Sequence, residues 1–246
     1  IGINKTMANP TYVAQNMDIT DSWNGYQTLL HIKSPNEKLE KFVFTAPGLI
    51  GLNGINNHSV AVTINSVKQL KYSKNGLPVL FVTRAILDRT TYEDAVNFLY
   101  NIEHASGQNY IIGGIDSMAS FECSATKIVK YIPFEGASFT YHTNIPLVND
   151  DYNITYINRI REDNKNIDEY KPYCPRLKSL RETFKDNSIY VDVEKLKSIL
   201  SSRDWNINKN ITFGCTIMVL SDNPELHLSP GRPDEEPFQV FKFNVK

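Results

Sequence analysis

Alternation of hydrophobic and smaller or polar residues predicts β-strands in the first third of the chain. Within Ser59–Val67, valine and isoleucine recur at every second position, as one buried face of a strand requires. Two further strands are predicted at Tyr26–Lys33 and Lys41–Thr45, which are rich in β-prone residues. The glycine-rich segment Pro47–Gly54, between the strands predicted at Lys41–Thr45 and Ser59–Val67, predicts a tight turn or a close backbone approach instead of regular structure.

Helical periodicity appears in two pairs of segments. Leu77–Asp88 has helical spacing after Pro78, and Tyr92–His104 follows Thr91, a good N-cap residue. A second amphipathic pair is predicted at Pro175–Asp186 and Val191–Arg203.

Further strands are predicted on both sides of the second helical pair. They are Asn109–Gly113, Ala119–Cys123, Lys127–Phe134, Ser138–His142, Ile211–Leu220, Glu225–Leu228 and Phe238–Val245. Strands and helices are thus grouped, not strictly alternating, which predicts an α+β fold with largely antiparallel sheets. We expect one domain over residues 1–246, with a helical insertion or lid over residues 150–205. Its polar part, Asp150–Tyr173, is where we expect substrate contacts.

Composition narrows the range of partners. The 246 residues include 26 basic and 27 acidic side chains, a formal charge of -1, so no general field attracts nucleic acid. No apolar run is long enough to predict a membrane span. We therefore expect a small-molecule partner.

The familiar local motifs of catalysis are missing from the sequence. It has no G-x-S-x-G elbow, H-E-x-x-H motif, phosphate loop or dinucleotide fingerprint, and its three cysteines form no C-x-x-C pair. We expect no metal and no cofactor. Cys123 and Cys215 lie in apolar runs and are predicted to be buried and inert, whereas Cys174 is expected to be exposed. His142 is expected to be a hydrogen-bonded structural residue.

Four segments together resemble the acyl-coenzyme A:6-aminopenicillanic acid acyltransferase family, a cysteine branch of the N-terminal-nucleophile (Ntn) hydrolases that is related to choloylglycine hydrolases and penicillin V acylases. The match rests on their order and spacing over nearly the whole chain. The segments are Ala14–Asp18, Pro47–Asn65, His142–Asn144 and Gly231–Pro233.

The resemblance implies a four-layer αββα sandwich and an enzyme that breaks or transfers an amide or acyl thioester bond. Such enzymes use an N-terminal cysteine, exposed by processing, about eighteen residues before the aspartate that corresponds to Asp18. That spacing places the nucleophile immediately before Ile1.

The resemblance also suggests roles for particular side chains. Asp18 would orient the terminal amine, Asn144 would donate to the oxyanion, and Arg232 would stabilise negative charge near the thiolate. Asn16, Asn65 and Ser124 are supporting candidates.

Two other interpretations stay open at this point. One is a binding protein that kept the fold without a nucleophile. The other is a choloylglycine-hydrolase-like amidase for bile salts or penicillin V, although those relatives usually carry arginine where this chain has Gln15. The partner in the enzymatic reading is a small acyl-amide or acyl-thioester, and a homo-oligomer is expected.

Overall fold

A computed structural model describes residues 1–7, 9–35, 38–163, 174–204 and 207–243. Two antiparallel sheets are stacked face to face in these ranges, and helices cover the outer side of each sheet. None of the helices in the described ranges is long and apolar enough to cross a bilayer.

The larger sheet has seven strands within the described residues. In spatial order they are β3 (Thr28–Lys33), β4 (Glu40–Thr45), β5 (Asn53–Asn56), β6 (Ala61–Ser66), β7 (Gln108–Gly113), β8 (Met118–Cys123) and β9 (Ile128–Tyr131). Every neighbouring pair is antiparallel and follows the chain order.

The smaller sheet has six strands in the part of the chain that is described. In spatial order they are β10 (Phe139–Thr140), β1 (Gly2–Ile3), β2 (Thr11–Asp18), β11 (Thr212–Leu220), β12 (Glu225–Ser229) and β13 (Gln239–Lys242). The two ends of the chain therefore meet in one sheet, with β2 hydrogen-bonded to both β1 and β11.

Helices complete the outer layers. The described helices are α1 (Val79–Ile86), α2 (Tyr92–Tyr100), α3 (Ile154–Asp163), α4 (Pro175–Thr183) and α5 (Val193–Ser201). The first two pack on β6 and β7 of the larger sheet, and α5 packs on β2 and β11 of the smaller one. Contacts of β2 with β6 and β7, and of β1 with β8, join the two sheets. This arrangement is the predicted αββα sandwich.

Two elements differ from the sequence predictions for local physical reasons. The second helix ends at Tyr100, not at His104, because the His104 imidazole bonds to the Leu99 carbonyl oxygen and its backbone forms a bridge with Leu77. Strand β5 lies partly inside the glycine-rich segment that was expected to be irregular. There a Cβ on Gly54 would lie 2.3 Å from the Phe42 carbonyl oxygen, so the expected close approach is confirmed.

Other differences concern the ends and the polar stretch. The hydrophobic pattern did not predict β1 and β2. The strands predicted at Lys127–Phe134 and Ser138–His142 are shorter than expected, at Ile128–Tyr131 and Phe139–Thr140. Helix α3 begins inside the polar stretch Asp150–Tyr173. Residues 164–173 of that stretch, and the last two residues of the strand predicted to end at Val245, lie outside the described residues.

Candidate active site

Strand β1 brings Ile1 between β10 and β2 in the smaller sheet. The Ile1 nitrogen donates to the Ala14 oxygen at 2.9 Å, and the Ala14 nitrogen donates to the Ile1 oxygen at 2.8 Å. Gly2 pairs with Val13 on β2 and with Thr140 on β10. Ile1 is therefore fixed by sheet pairing and is not part of a loose terminus.

A cavity of about 50 Å³ lies beside Ile1. Three kinds of element meet there: the strands β2 and β6, the segment after β10, and the helices α4 and α5. The lining residues are Ile1, Ala14, Gln15, Asn16, Thr63, Asn65, His142, Thr143, Arg176, Leu180, Leu200 and Ile207. Among the predicted site residues, Asn16 and Asn65 line this cavity.

Burial strongly disfavours a charged amine at this place. Burial lowers the pKa of the Ile1 amino group to about 5, although a coulombic interaction with Cys215 acts in the opposite direction. A free amine on Ile1 would therefore be neutral at pH 7. The neighbouring Cys215 thiol is fully buried, as predicted, and burial raises its pKa, which disfavours the reactive thiolate.

Asp18 lies at the end of β2 with its carboxylate held by three side chains. Thr212 Oγ1 donates to one carboxylate oxygen at 2.9 Å. The other oxygen lies 3.0 Å from Lys209 Nζ and 3.6 Å from an Arg176 guanidinium nitrogen. The carboxylate is thus fixed in direction and balanced by positive charge.

Both the nitrogen and the oxygen of the Asn144 side-chain amide are held by hydrogen bonds. Its Nδ2 donates to the Ser66 carbonyl oxygen at 3.1 Å, and its Oδ1 accepts from Arg176 at 2.9 Å. Ser66 follows Asn65 on β6, so Asn144 lies beside a strand whose side chains line the cavity.

The side-chain amides of Asn16 and Gln15 on β2 connect the cavity wall to α5 and to the larger sheet. Asn16 Nδ2 donates to the Leu200 and Ile207 carbonyl oxygens at 2.8 and 3.0 Å, which anchors the end of α5. Gln15 faces the opposite direction, where it donates to the Ile64 carbonyl oxygen and accepts from Asn53 Nδ2 at 3.0 Å. Gln15 therefore links the two sheets.

Arg232 and Ser124 lie outside the lining of this cavity. Arg232 pairs with Glu235 and lines a second cavity of about 280 Å³, whose wall also contains Thr212, the hydrogen-bond partner of Asp18. The Ser124 hydroxyl donates to Asp151 at 2.6 Å and accepts the backbone N–H of Lys127 at 3.0 Å, which makes it part of a turn network.

A buried ion-pair network supports the segment that carries Asn144. Glu122 and His142 have fully buried side chains and lie 2.7 Å apart. The Glu122 carboxylate also accepts the backbone N–H groups of Leu147, Val148 and Asn149 at 2.5, 3.1 and 2.7 Å. His142 is the hydrogen-bonded structural residue that the sequence predicted.

Sequence reasoning missed Arg176 and Glu122. Arg176 is the second residue of α4, and Glu122 lies between Phe121 and Cys123 on β8, a strand that is buried along its whole length. A charged residue inside a strand that reads as buried was a usable signal for Glu122. Nothing local marked Arg176, because its partners are far away in sequence. Cys174, expected to be exposed, is half-buried, and its thiol lies 3.5 Å from Thr143 Oγ1.

The described ranges hold no group of three His, Cys, Asp or Glu side chains arranged as metal ligands.

Comparison with known proteins gives the fold and family. No curated protein sequence matches the chain. Among solved structures, an N-acylethanolamine-hydrolyzing acid amidase ortholog from Caenorhabditis elegans aligns with a TM-score of 0.61 at 16% identity, over 99% of both chains. A variant of conjugated bile acid hydrolase from Clostridium perfringens aligns with a TM-score of 0.58 at 13% identity, over 99% of this chain and 97% of that one. Penicillin V acylase from Agrobacterium tumefaciens has a TM-score of 0.58 at 16% identity, over 99% and 85%.

These similarities confirm the Ntn-hydrolase fold that the resemblance implied. The model of the acyl-coenzyme A:6-aminopenicillanic acid acyl-transferase family matches residues 6–201, which is most of the chain. The protein therefore belongs to the acyl-coenzyme A:6-aminopenicillanic acid acyl-transferase family.

Proposed function

We propose that the protein is a cysteine Ntn amide hydrolase or acyltransferase, and that its nucleophile is a cysteine immediately before Ile1. Its substrate is a small acylated molecule with an amide or acyl-thioester bond. The observation that carries the proposal is the paired strand β1, which leads directly to the cavity beside Ile1.

Strand register indicates where the side chain of a preceding residue would lie. Gly2 pairs with Val13 on β2 and with Thr140 on β10, and both pairings are antiparallel. A residue immediately before Ile1 would therefore lie opposite Gln15 and His142, which both line the cavity. Side chains alternate along a strand, so that residue would share the face of Gly2. A Cβ on Gly2 would point toward Met118 and Ile111, so this face is directed between the two sheets.

A cysteine in this position brings its own base. Its α-amino group titrates near ~8 in water, and a position opposite the buried Gln15 and His142 favours the neutral form of the amine. The amine accepts the thiol proton directly or through water. Asp18, fixed at the end of β2, orients that amine.

The chemistry then proceeds through an acyl-enzyme. The thiolate attacks the carbonyl carbon, and the oxyanion that forms accepts a hydrogen bond from Asn144, with Asn65 in support. When the C–N or C–S bond breaks, the leaving amine or thiol takes the proton held by the α-amine. Water or an acceptor amine then attacks the thioester and restores the free thiol.

Arg232, Asn16 and Ser124 have supporting roles in the proposed function. Arg232 shares a cavity wall with Thr212, the partner of Asp18, and would add positive potential from that side. Asn16 would hold the cavity wall against α5, and Ser124 would support the Asp151 turn.

Kinetics of an Asn144→Ala variant tests the proposal. We expect kcat to fall by roughly 10²–10³ on an acyl-amide that the wild type cleaves, because one oxyanion donor is lost. Asn223→Ala in an exposed loop is the matched control and should keep wild-type kinetics. An unchanged kcat for Asn144→Ala removes that residue from the mechanism, and a wild type without turnover or acylation favours the binding-protein alternative.

A further inference from the structure

Arg176 contacts Asp18, which orients the terminal amine in the proposed function, and Asn144, which stabilises the oxyanion. It enters the site from α4, and its side chain is 20% exposed at the cavity wall. One guanidinium nitrogen lies 2.9 Å from Asn144 Oδ1, and another lies 3.6 Å from the Asp18 carboxylate. Arg176 thus connects β2 with the segment after β10.

The orientation of the Asn144 amide depends on this contact. An amide side chain has one acceptor oxygen and two N–H donors. Here Arg176 occupies the oxygen and the Ser66 carbonyl oxygen occupies one N–H, which leaves the second N–H for a ligand. A flipped amide would turn its NH₂ toward the guanidinium and its oxygen toward the Ser66 carbonyl oxygen, so both contacts would become repulsive.

Asp18 depends less on Arg176 than Asn144 does. Lys209 Nζ lies closer to the Asp18 carboxylate, at 3.0 Å, and Thr212 donates to it as well. Among the described residues, loss of Arg176 therefore leaves Asp18 with Lys209 and Thr212, whereas Asn144 keeps its bond to Ser66 alone.

We propose that Arg176 is a positioning residue, which acts through Asn144 by fixing the amide with one N–H directed at the oxyanion. This inference rests on the proposed function, in which Asn144 stabilises that oxyanion. A residue with this part affects the transition state more than substrate binding, so kcat changes and KM does not.

A double-mutant cycle with Arg176→Met and Asn144→Ala tests the inference. We expect Arg176→Met to lower kcat roughly 10- to 100-fold with KM within about 3-fold, since the amide is no longer held in one orientation. The double variant should be no slower than Asn144→Ala alone, because the arginine acts through the amide. Arg176→Lys keeps a cationic donor and should recover most of the lost kcat.

Each outcome has a separate meaning. Additive effects of the two substitutions, or a rise in KM alone, overturn the positioning role, the latter in favour of direct substrate recognition by Arg176. If Asn144→Ala has wild-type kcat, the oxyanion assignment itself fails, and the inference fails with it. Arg181→Met, on the exposed side of the same helix, is the matched control for the charge and helix change. If Arg176→Met does not fold, as judged by its urea midpoint, the cycle is run with Arg176→Ala, which also removes the cationic donor, and additivity overturns the inference equally.

Discussion

Replacement of Glu122 by glutamine should destabilise the protein strongly, although the two side chains have nearly the same shape. The Glu122 carboxylate is fully buried and accepts four hydrogen bonds, one from His142 and three from the backbone of residues 147–149. Glutamine replaces one acceptor oxygen with an NH₂ group. At least one backbone N–H then faces a donor, and His142 loses its charged partner.

The expected loss follows from these contacts. Hydrogen bonds to a charged group contribute about 1.5–3 kcal/mol each, and breaking a buried ion pair costs roughly 3–5 kcal/mol. We therefore expect Glu122→Gln to lower the free energy of unfolding by about 3–5 kcal/mol. In a chain of this size, that corresponds to a fall in Tm of roughly 10 °C.

Urea unfolding followed by circular dichroism measures this difference. Glu103→Gln, at an exposed position, is the control and should stay within about 0.5 kcal/mol of the wild type. A Glu122→Gln variant within about 1 kcal/mol of the wild type would refute the reasoning, because the network would then contribute little.

Dependence on pH provides a second check on Glu122. Burial alone raises the pKa of its carboxyl, but the bonds from His142, Asn149 and Leu147 outweigh burial and lower the pKa below 4.5. A lowered pKa in the folded state means that this stabilisation is present above about 4.5 and is lost as the pH falls through the folded-state value. The stability gap between wild type and Glu122→Gln should therefore be full at pH 7 and shrink in acid.

Two further predictions concern the fold and the site. Gly54→Ala should lower the free energy of unfolding by about 1–3 kcal/mol, because its Cβ would lie 2.3 Å from the Phe42 carbonyl oxygen. Gly48→Ala meets open space but has a φ of +84°, so it should cost only about 1 kcal/mol; equal losses for the two variants in urea titrations would contradict the packing argument. The acidic limb of the kcat/KM profile should lie below the ~8 of an ordinary terminal amine, because the proposed amine lies opposite the buried Gln15 and His142, where burial disfavours the ammonium form. A limb at or above that value would remove the neutral amine from the proposed mechanism.

Local patterns were sufficient for the parts of the fold with one buried and one exposed face. The helices α1, α2, α4 and α5 and most strands of the larger sheet were predicted within a few residues. Strand β2 was not predicted, because it is covered by α5 on one side and by the larger sheet on the other. Such a strand has no alternation to detect, and its polar residues, the buried Gln15 and the partly buried Asn16, obscure it further.

The site illustrates the same limit at the level of side chains. Asp18 and Asn144 were named from short segments in family order, and both contact Arg176. Arg176 itself could not be found in this way, because its partners lie 158 and 32 positions away along the chain, and only the packing of α4 brings them together. Glu122 was visible as a charge in a buried strand, but its four donors come from a loop that no sequence pattern placed beside it.

The most direct test of the central claim is the chemical identity of the residue before Ile1 in the mature, active protein. N-terminal sequencing and intact mass, followed by labelling with a thiol alkylating reagent near pH 7, measure it. We predict a cysteine at that position, labelled faster than the half-buried Cys174, with loss of activity in step with labelling. A mature chain that begins at Ile1, or with alanine or glycine before it, would contradict the account.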